Sequence, residues 1–236
     1  MRTALLTLAA AATLAAQTAA FPAFSTGARI LFQGDSITDM NRGRTADPNH
    51  ILGHSYAFLI AARYGSSFPE RHLTFLNRGV SGNTVADLTG RWQNDTIALK
   101  PDLLSILIGI NDLGRGVSAE DFERQYDQLL ADTVKALPDV NLVLGEPFAL
   151  RVGQYTDERW SERLTELRKR QAIVAKLAAK YHAALVRYQR AFDAACDRAP
   201  ADYWIWDGIH PTYSGQQILA DEWLRAVALA NWPARP

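Results

Sequence analysis

The strongest constraint on this chain is a repeated alternation. Short runs of apolar and β-branched residues occur five times, separated by stretches with helical periodicity. Residues 29–33, 73–77, 102–108, 140–144 and 184–188 read as strands. The run 102–108 is almost wholly apolar, as a strand covered on both faces must be. Between the fourth and fifth runs, Trp160, Leu164, Leu167, Val174, Leu177 and Tyr181 recur at helical steps. Phe122, Tyr126, Leu129, Leu130, Val134 and Leu137 do the same behind Ser118 and Asp121, which resemble a capping box. Ile218, Leu219, Trp223 and Val227 mark a last helix. Strands alternating with helices predict an α/β fold, a five-stranded parallel sheet with helices on both faces. Such sheets bind ligands at the carboxyl ends of their strands, so functional residues are expected just after strands.

A chain of 236 residues fits one domain, and a hydrophobic content of 48% supplies its core. Lys and Arg number 25, as do Asp and Glu, so the basic excess expected of a nucleic-acid or anionic-membrane binder is missing. The N-terminus differs from the rest. Arg2 is the only charge before Arg29, residues 4–16 are apolar or small, and Thr18, Ala19 and Ala20 precede Phe21. That pattern predicts a cleavable signal peptide over residues 1–20. Residues 21–236 are then expected to form the single folded domain of a secreted or periplasmic protein, with no membrane attachment after cleavage. Cys196 is the only cysteine, so no intramolecular disulfide forms, and its Ala-rich surroundings predict a packed thiol. His50, His54, His72 and His182 lack ligand-like spacing, so neither a metal nor another cofactor is expected.

The chemistry gathers in four loops. The first strand runs into Gly34-Asp35-Ser36, where glycine permits a sharp turn and Ser36 meets a helix N-terminus. Alone, that triplet reads first as a turn with a helix cap. The second strand ends in Asn77-Arg78-Gly79-Val80-Ser81-Gly82-Asn83-Thr84, and the third in Gly109-Ile110-Asn111-Asp112. Gly and Asn favour turns in any protein. Near the C-terminus, Asp207 and His210 stand three residues apart, close enough for the carboxylate to hold one imidazole nitrogen and leave the other free.

Together the four loops resemble the SGNH (GDSL) hydrolase superfamily, whose blocks carry Ser, Gly, Asn and His in this order. The segments 34–39, 81–85, 91–92, 100–102 and 108–112 look like those of bacterial acetylxylan esterases in that superfamily. The resemblance implies a three-layer α/β/α, flavodoxin-like fold. It implies Ser36 as nucleophile, His210 as general base and Asp207 as the residue that orients it. The oxyanion donors implied are the N–H groups of Ser36 and Gly79 and the side-chain amide of Asn111. A serine hydroxyl needs such a base, and the developing oxyanion needs donors already in place. No Gly-x-Ser-x-Gly elbow occurs, so the ordinary α/β-hydrolase site is absent. Asp35, Asp39 and Asp112 are expected to border the site and bond loop backbones, and Arg42, Arg44 and His54 to be solvated surface.

The substrate expected from the resemblance and the signal peptide is an acetylated oligo- or polysaccharide, with xylan-type hemicellulose favoured. A lysophospholipase or thioesterase of the same superfamily is a second reading. A third is a non-catalytic carbohydrate-binding protein on this scaffold. Tyr203, Trp204 and Trp206 precede Asp207, and core packing is the first expectation for each tryptophan. A homo-oligomer is compatible with all three readings.

Overall fold

The computed structural model describes residues 24–232. The expected signal peptide over residues 1–20 lies outside them. Five strands, β1 (Arg29–Gly34), β2 (Thr74–Asn77), β3 (Leu103–Leu107), β4 (Asn141–Gly145) and β5 (Ala184–Val186), form one all-parallel sheet in the order β2-β1-β3-β4-β5. The helices are α1 (Ser36–Asp39), α2 (Tyr56–Ser67), α3 (Val85–Asp95), α4 (Ile110–Gly114), α5 (Ala119–Ala136), α6 (Trp160–Lys180), α7 (Tyr188–Cys196), α8 (Ala201–Trp204) and α9 (Tyr213–Leu229).

Period-two alternation divides the core. Ile30, Phe32, Leu103, Leu107 and Val143 face one layer, packed with residues of α2, α7 and α9. Leu31, Leu104, Ile106, Leu142 and Leu144 face the other, with residues of α3, α5 and α6. Ser105 is a polar residue inside this core, and its hydroxyl accepts from the Trp223 indole N–H at 2.9 Å. That bond satisfies two buried groups that would each cost free energy unpaired. Among the described residues, no helix is long and apolar enough to cross a membrane.

Register sets the working edge. Gly34 pairs with Leu107, Leu107 with Gly145, and Gly145 with Val186, so four strands finish along one row. Caps then start the helices there. Ser118 accepts from the Asp121 N–H, as its position predicts, but the full reciprocal box forms at Thr84 and Asp87. The fifth strand stops at Val186 rather than residue 188, because Gln189 gives its N–H to the Glu146 carboxylate and Tyr188 already opens α7. Cys196 ends α7 half-buried, and burial pushes its thiol up.

Candidate active site

Ser36 is placed by the turn before it. Gly34 has φ +156, and a Cβ there would lie 2.3 Å from the Leu107 carbonyl oxygen and 2.5 Å from Thr38 Oγ1. Only glycine lets the chain turn this closely against β3. The Asp35 carboxylate then accepts from the Ile37 N–H at 3.0 Å and caps α1. Ser36 is therefore the first residue of a helix, with an N–H that has no intrahelical acceptor.

His210 arrives from the other end of the chain. A bridge between Ile205 and Pro211 folds the segment back, and Trp206 donates to the His210 carbonyl at 3.2 Å. One oxygen of Asp207 accepts from the N–H groups of Ile209 at 3.1 Å and His210 at 2.8 Å. The other lies 2.6 Å from His210 Nδ1. His210 Nε2 is 2.8 Å from Ser36 Oγ. The three side chains thus form one relay. Burial alone would raise the Asp207 carboxyl, but its bonds to the His210 ring and to the two N–H groups hold it below the usual range. Two close approaches fix this turn. A Cβ on Gly153 would sit 2.5 Å from Asp207 Cα, and one on Gly208 would sit 2.6 Å from the Tyr155 ring.

Asn111 follows Gly109, whose φ is +119, and its amide donates to the Asn83 carbonyl at 3.1 Å. The structure corrects the expectation for Gly79. Its N–H is spent on Asn77 Oδ1 at 2.9 Å, and a Cβ there would lie 2.5 Å from the Asp39 nitrogen. Gly79 is a packing glycine. In the same loop, Gly82 has φ +82, adjoins Asn83, and has an N–H without a partner among the described residues. It is the glycine of this loop left free to donate. Residue spacing does not separate the two, because the Asn77 side chain decides which N–H is consumed.

The loop is clamped from several sides. Asp39 accepts from the Ser81 N–H and hydroxyl, each at 3.0 Å, and pairs with Arg44. Burial would raise the Asp39 carboxyl, but these donors hold it low. Arg42 is half-buried and gives its Nε–H to the Gly79 carbonyl at 2.8 Å, so it is part of the clamp rather than solvated surface. Burial pushes its guanidinium down to about 10. Arg44 bonds Asp39 through two nitrogens, so it too is more than a solvated charge, while His54 stays exposed. Arg91 donates to Asn83 Oδ1 and to the Arg78 carbonyl, each at 2.8 Å. Beneath the site, Asp112 accepts from the Val85 N–H. Burial pushes Asp35 up to about 7, and burial raises Asp112 as well. One carboxylate oxygen of each is buried without a partner. Trp204 is buried as expected, whereas Trp206 is 65% exposed beside Asp207. Among the described residues, no group of three or more His, Cys, Asp or Glu side chains is arranged to hold a metal.

This arrangement can activate a hydroxyl and receive a developing negative charge beside it, which is the requirement for acyl transfer. Comparison with known proteins agrees. Residues 32–218 match the GDSL-like Lipase/Acylhydrolase family. An acetylxylan esterase of Geobacillus stearothermophilus is 30% identical over 213 residues, covering 85% of this chain and 94% of that protein. The crystal structure of an acetylxylan esterase from the same organism superposes with a TM-score of 0.74 at 30% identity, covering 90% of this chain and 99% of that one. A GDSL-like protein from Parabacteroides merdae gives a TM-score of 0.82 at 36% identity, over 87% of this chain and 98% of its own.

Proposed function

Since this chain belongs to the GDSL-like lipase/acylhydrolase family and is an esterase of the SGNH superfamily, we propose that it removes O-acetyl groups from xylan-type polysaccharide through an acyl-enzyme on Ser36. The observation that carries this reading is the relay from Ser36 Oγ through His210 to Asp207, with contacts of 2.8 and 2.6 Å. His210 Nε2 takes the hydroxyl proton as Ser36 attacks the ester carbonyl. Asp207 holds the imidazole in the productive tautomer and stabilises the imidazolium. The carbonyl oxygen becomes an oxyanion, received by the Asn111 amide and the N–H groups of Ser36 and Gly82. As the intermediate collapses and the bond to the sugar oxygen breaks, the protonated imidazole gives its proton to that oxygen, which leaves as a hydroxyl. Water, deprotonated by the same base, releases acetate and restores Ser36.

The similarity to an acetylxylan esterase over most of both chains supports the acetyl-glycan substrate. So do the exposed aromatic residues that flank Asp207 and His210 in sequence, Tyr203, Trp206 and Tyr213. The pattern of residues 1–20 supports export to the periplasm or medium. The test is acetate release from acetylated xylan, set beside rates on acyl esters of increasing length. A short acyl pocket makes kcat/KM fall from acetate to butyrate, because an overfilled pocket displaces the carbonyl from its donors. An apolar groove does the reverse, each bound methylene contributing about 0.8 kcal/mol. Octanoyl esters or lysophospholipids outperforming acetyl esters would replace this substrate with a lipid and leave the relay assignment intact. No hydrolysis of any ester, with retained glycan binding, would make the chain a binding protein.

A further inference from the structure

A second concave site lies over the carboxyl ends of β4 and β5. It has a volume of about 450 Å³, within the range of small-molecule sites. Glu146 and Arg187, the residues that directly follow those two strands, both line it. It therefore opens on the same edge of the sheet as Ser36. Its wall is braced from several directions. Gln189 binds the N–H of Ala149 at 3.0 Å and the carbonyl of Ala149 at 3.1 Å. Gln171 donates to the Pro147 carbonyl at 2.9 Å. The neighbouring Leu150 N–H is bonded to the Gly208 carbonyl at 2.9 Å, inside the turn that carries Asp207 and His210.

Four arginines line this cleft, Arg151, Arg168, Arg187 and Arg190. All four are exposed, and none has an ion-pair or side-chain hydrogen-bond partner among the described residues. The chain as a whole is balanced at formal net charge zero, so this concentration is local. Elsewhere most exposed arginines sit beside a carboxylate, as Arg124 does with Asp121 and Arg225 with Glu222. Two carboxylates do line the cleft, but both are engaged. Glu146 is buried and accepts from the Gln189 N–H, and Asp193 accepts from the Gln189 side chain. Burial pushes the Glu146 carboxyl above its usual range, while the Gln189 N–H and the charge of Arg187 pull it down. Trp160, half-buried, also lines the cleft.

We propose that this cleft binds a sugar carboxylate, a uronic acid branch on the acetylated glycan, and so selects acidic substrate for the adjoining active site. The chemistry matches part by part. A guanidinium takes a carboxylate through two parallel N–H donors, and more than one arginine can do so here. The indole supplies a face for a pyranose ring. The proposal rests on the acetyl-glycan reading for its link to catalysis, but its binding step needs no acetyl group.

The experiment uses deacetylated xylooligosaccharides of one length, neutral or carrying one glucuronic acid branch, titrated calorimetrically into the full-length protein. The acidic oligosaccharide is expected to bind about tenfold more tightly, the scale of one charge-assisted hydrogen-bonded contact. That advantage is expected to collapse at about 0.5 M salt and in the R168Q/R190Q double variant. The same variant is expected to hydrolyse 4-nitrophenyl acetate as the parent does. Equal affinity for the two sugars, or an advantage that survives the double variant, overturns the proposal. Inorganic phosphate displacing the acidic sugar more strongly than free glucuronate makes this a phosphate site and also overturns it. A wild-type dimer that dissociates in the double variant, with no sugar bound, assigns the face to a second copy of the chain instead. Absence of acetate release from acetylated xylan, with acidic-sugar binding intact, would sink the acetyl-glycan reading alone.

Discussion

The Asn77 side chain takes the N–H of Gly79 at 2.9 Å while its own amide donates to the carbonyls of Thr38 and Leu52. One buried residue thereby ties the loop after β2 to the helix that carries Ser36. Asn77→Ala leaves the Gly79 N–H and the Thr38 carbonyl unpaired, each costing about 1–3 kcal/mol, and leaves the Leu52 carbonyl only the longer bond from the Ser55 hydroxyl. Thermal denaturation is expected to show a Tm lowered by several degrees. Gly79→Ala is expected to destabilise too, since its Cβ meets the Asp39 backbone. Gly82→Ala meets no atom closer than 3.7 Å, but at φ +82 an L side chain is strained, so the backbone is expected to shift, turning the N–H away from its aim and lowering kcat as well as Tm. A Gly82→Ala enzyme whose backbone shifts, seen as a lowered Tm, while kcat stays full would remove that N–H from the oxyanion site.

Ser36→Ala and His210→Ala are expected to reduce kcat to similar low values, and the double variant to match either single, because the groups act as one unit. A sulfonyl fluoride is expected to label Ser36. Peptide mapping that finds the label on Ser81 or Ser214 would refute the assignment.

Asn111→Ala is expected to lower kcat by roughly 10²–10³ with little change in KM, as befits a donor that matters chiefly in the transition state. A change confined to KM would make Asn111 a substrate contact. The lost bond to Asn83 predicts a small accompanying rise in loop mobility, visible as faster amide exchange.

Asp35 predicts a pH effect on stability. Burial raises its carboxyl from 3.8 to about 7, against the Ile37 N–H and His210, and Asp112 adds to the rise. The folded state then holds a proton that the unfolded chain has released. The stability this gives is fully present below about pH 4 and is lost as pH rises toward 7. Asp35→Asn keeps an oxygen for the Ile37 N–H and removes the titration. Calorimetry at pH 4.5 and 8 is expected to show the variant gaining stability over the parent at the higher pH. A difference that does not change with pH would place an ordinary carboxylate at Asp35.

Much of this was legible in the sequence. The five apolar runs mark the five strands, because a buried parallel strand has little choice but continuous apolar residues. Asp207 and His210 are legible because a three-residue separation suffices to bring them together. The role of Gly79 was not legible, since it turns on where the Asn77 side chain points. Nor was that of Arg42, whose partner is a backbone carbonyl 37 residues away that no side-chain pattern advertises. The end of β5 was missed because Tyr188 is as apolar as a strand residue, yet its neighbour's N–H belongs to Glu146.

The close approaches of Gly153 to Asp207 and of Gly208 to Tyr155 carry a consequence for anyone reshaping this protein. A methyl group on Gly153 would claim the space of the Asp207 backbone, and one on Gly208 would claim that of the Tyr155 ring. The segment 146–155 and the turn 207–210 are therefore a single transplantable unit. Grafting a relative's version of one without the other would shift the carboxylate that steers the imidazole, and activity would fail for want of fit even with every reacting group retained. Exchanged as a pair, they offer a route to new acyl acceptors that leaves the serine and its turn untouched.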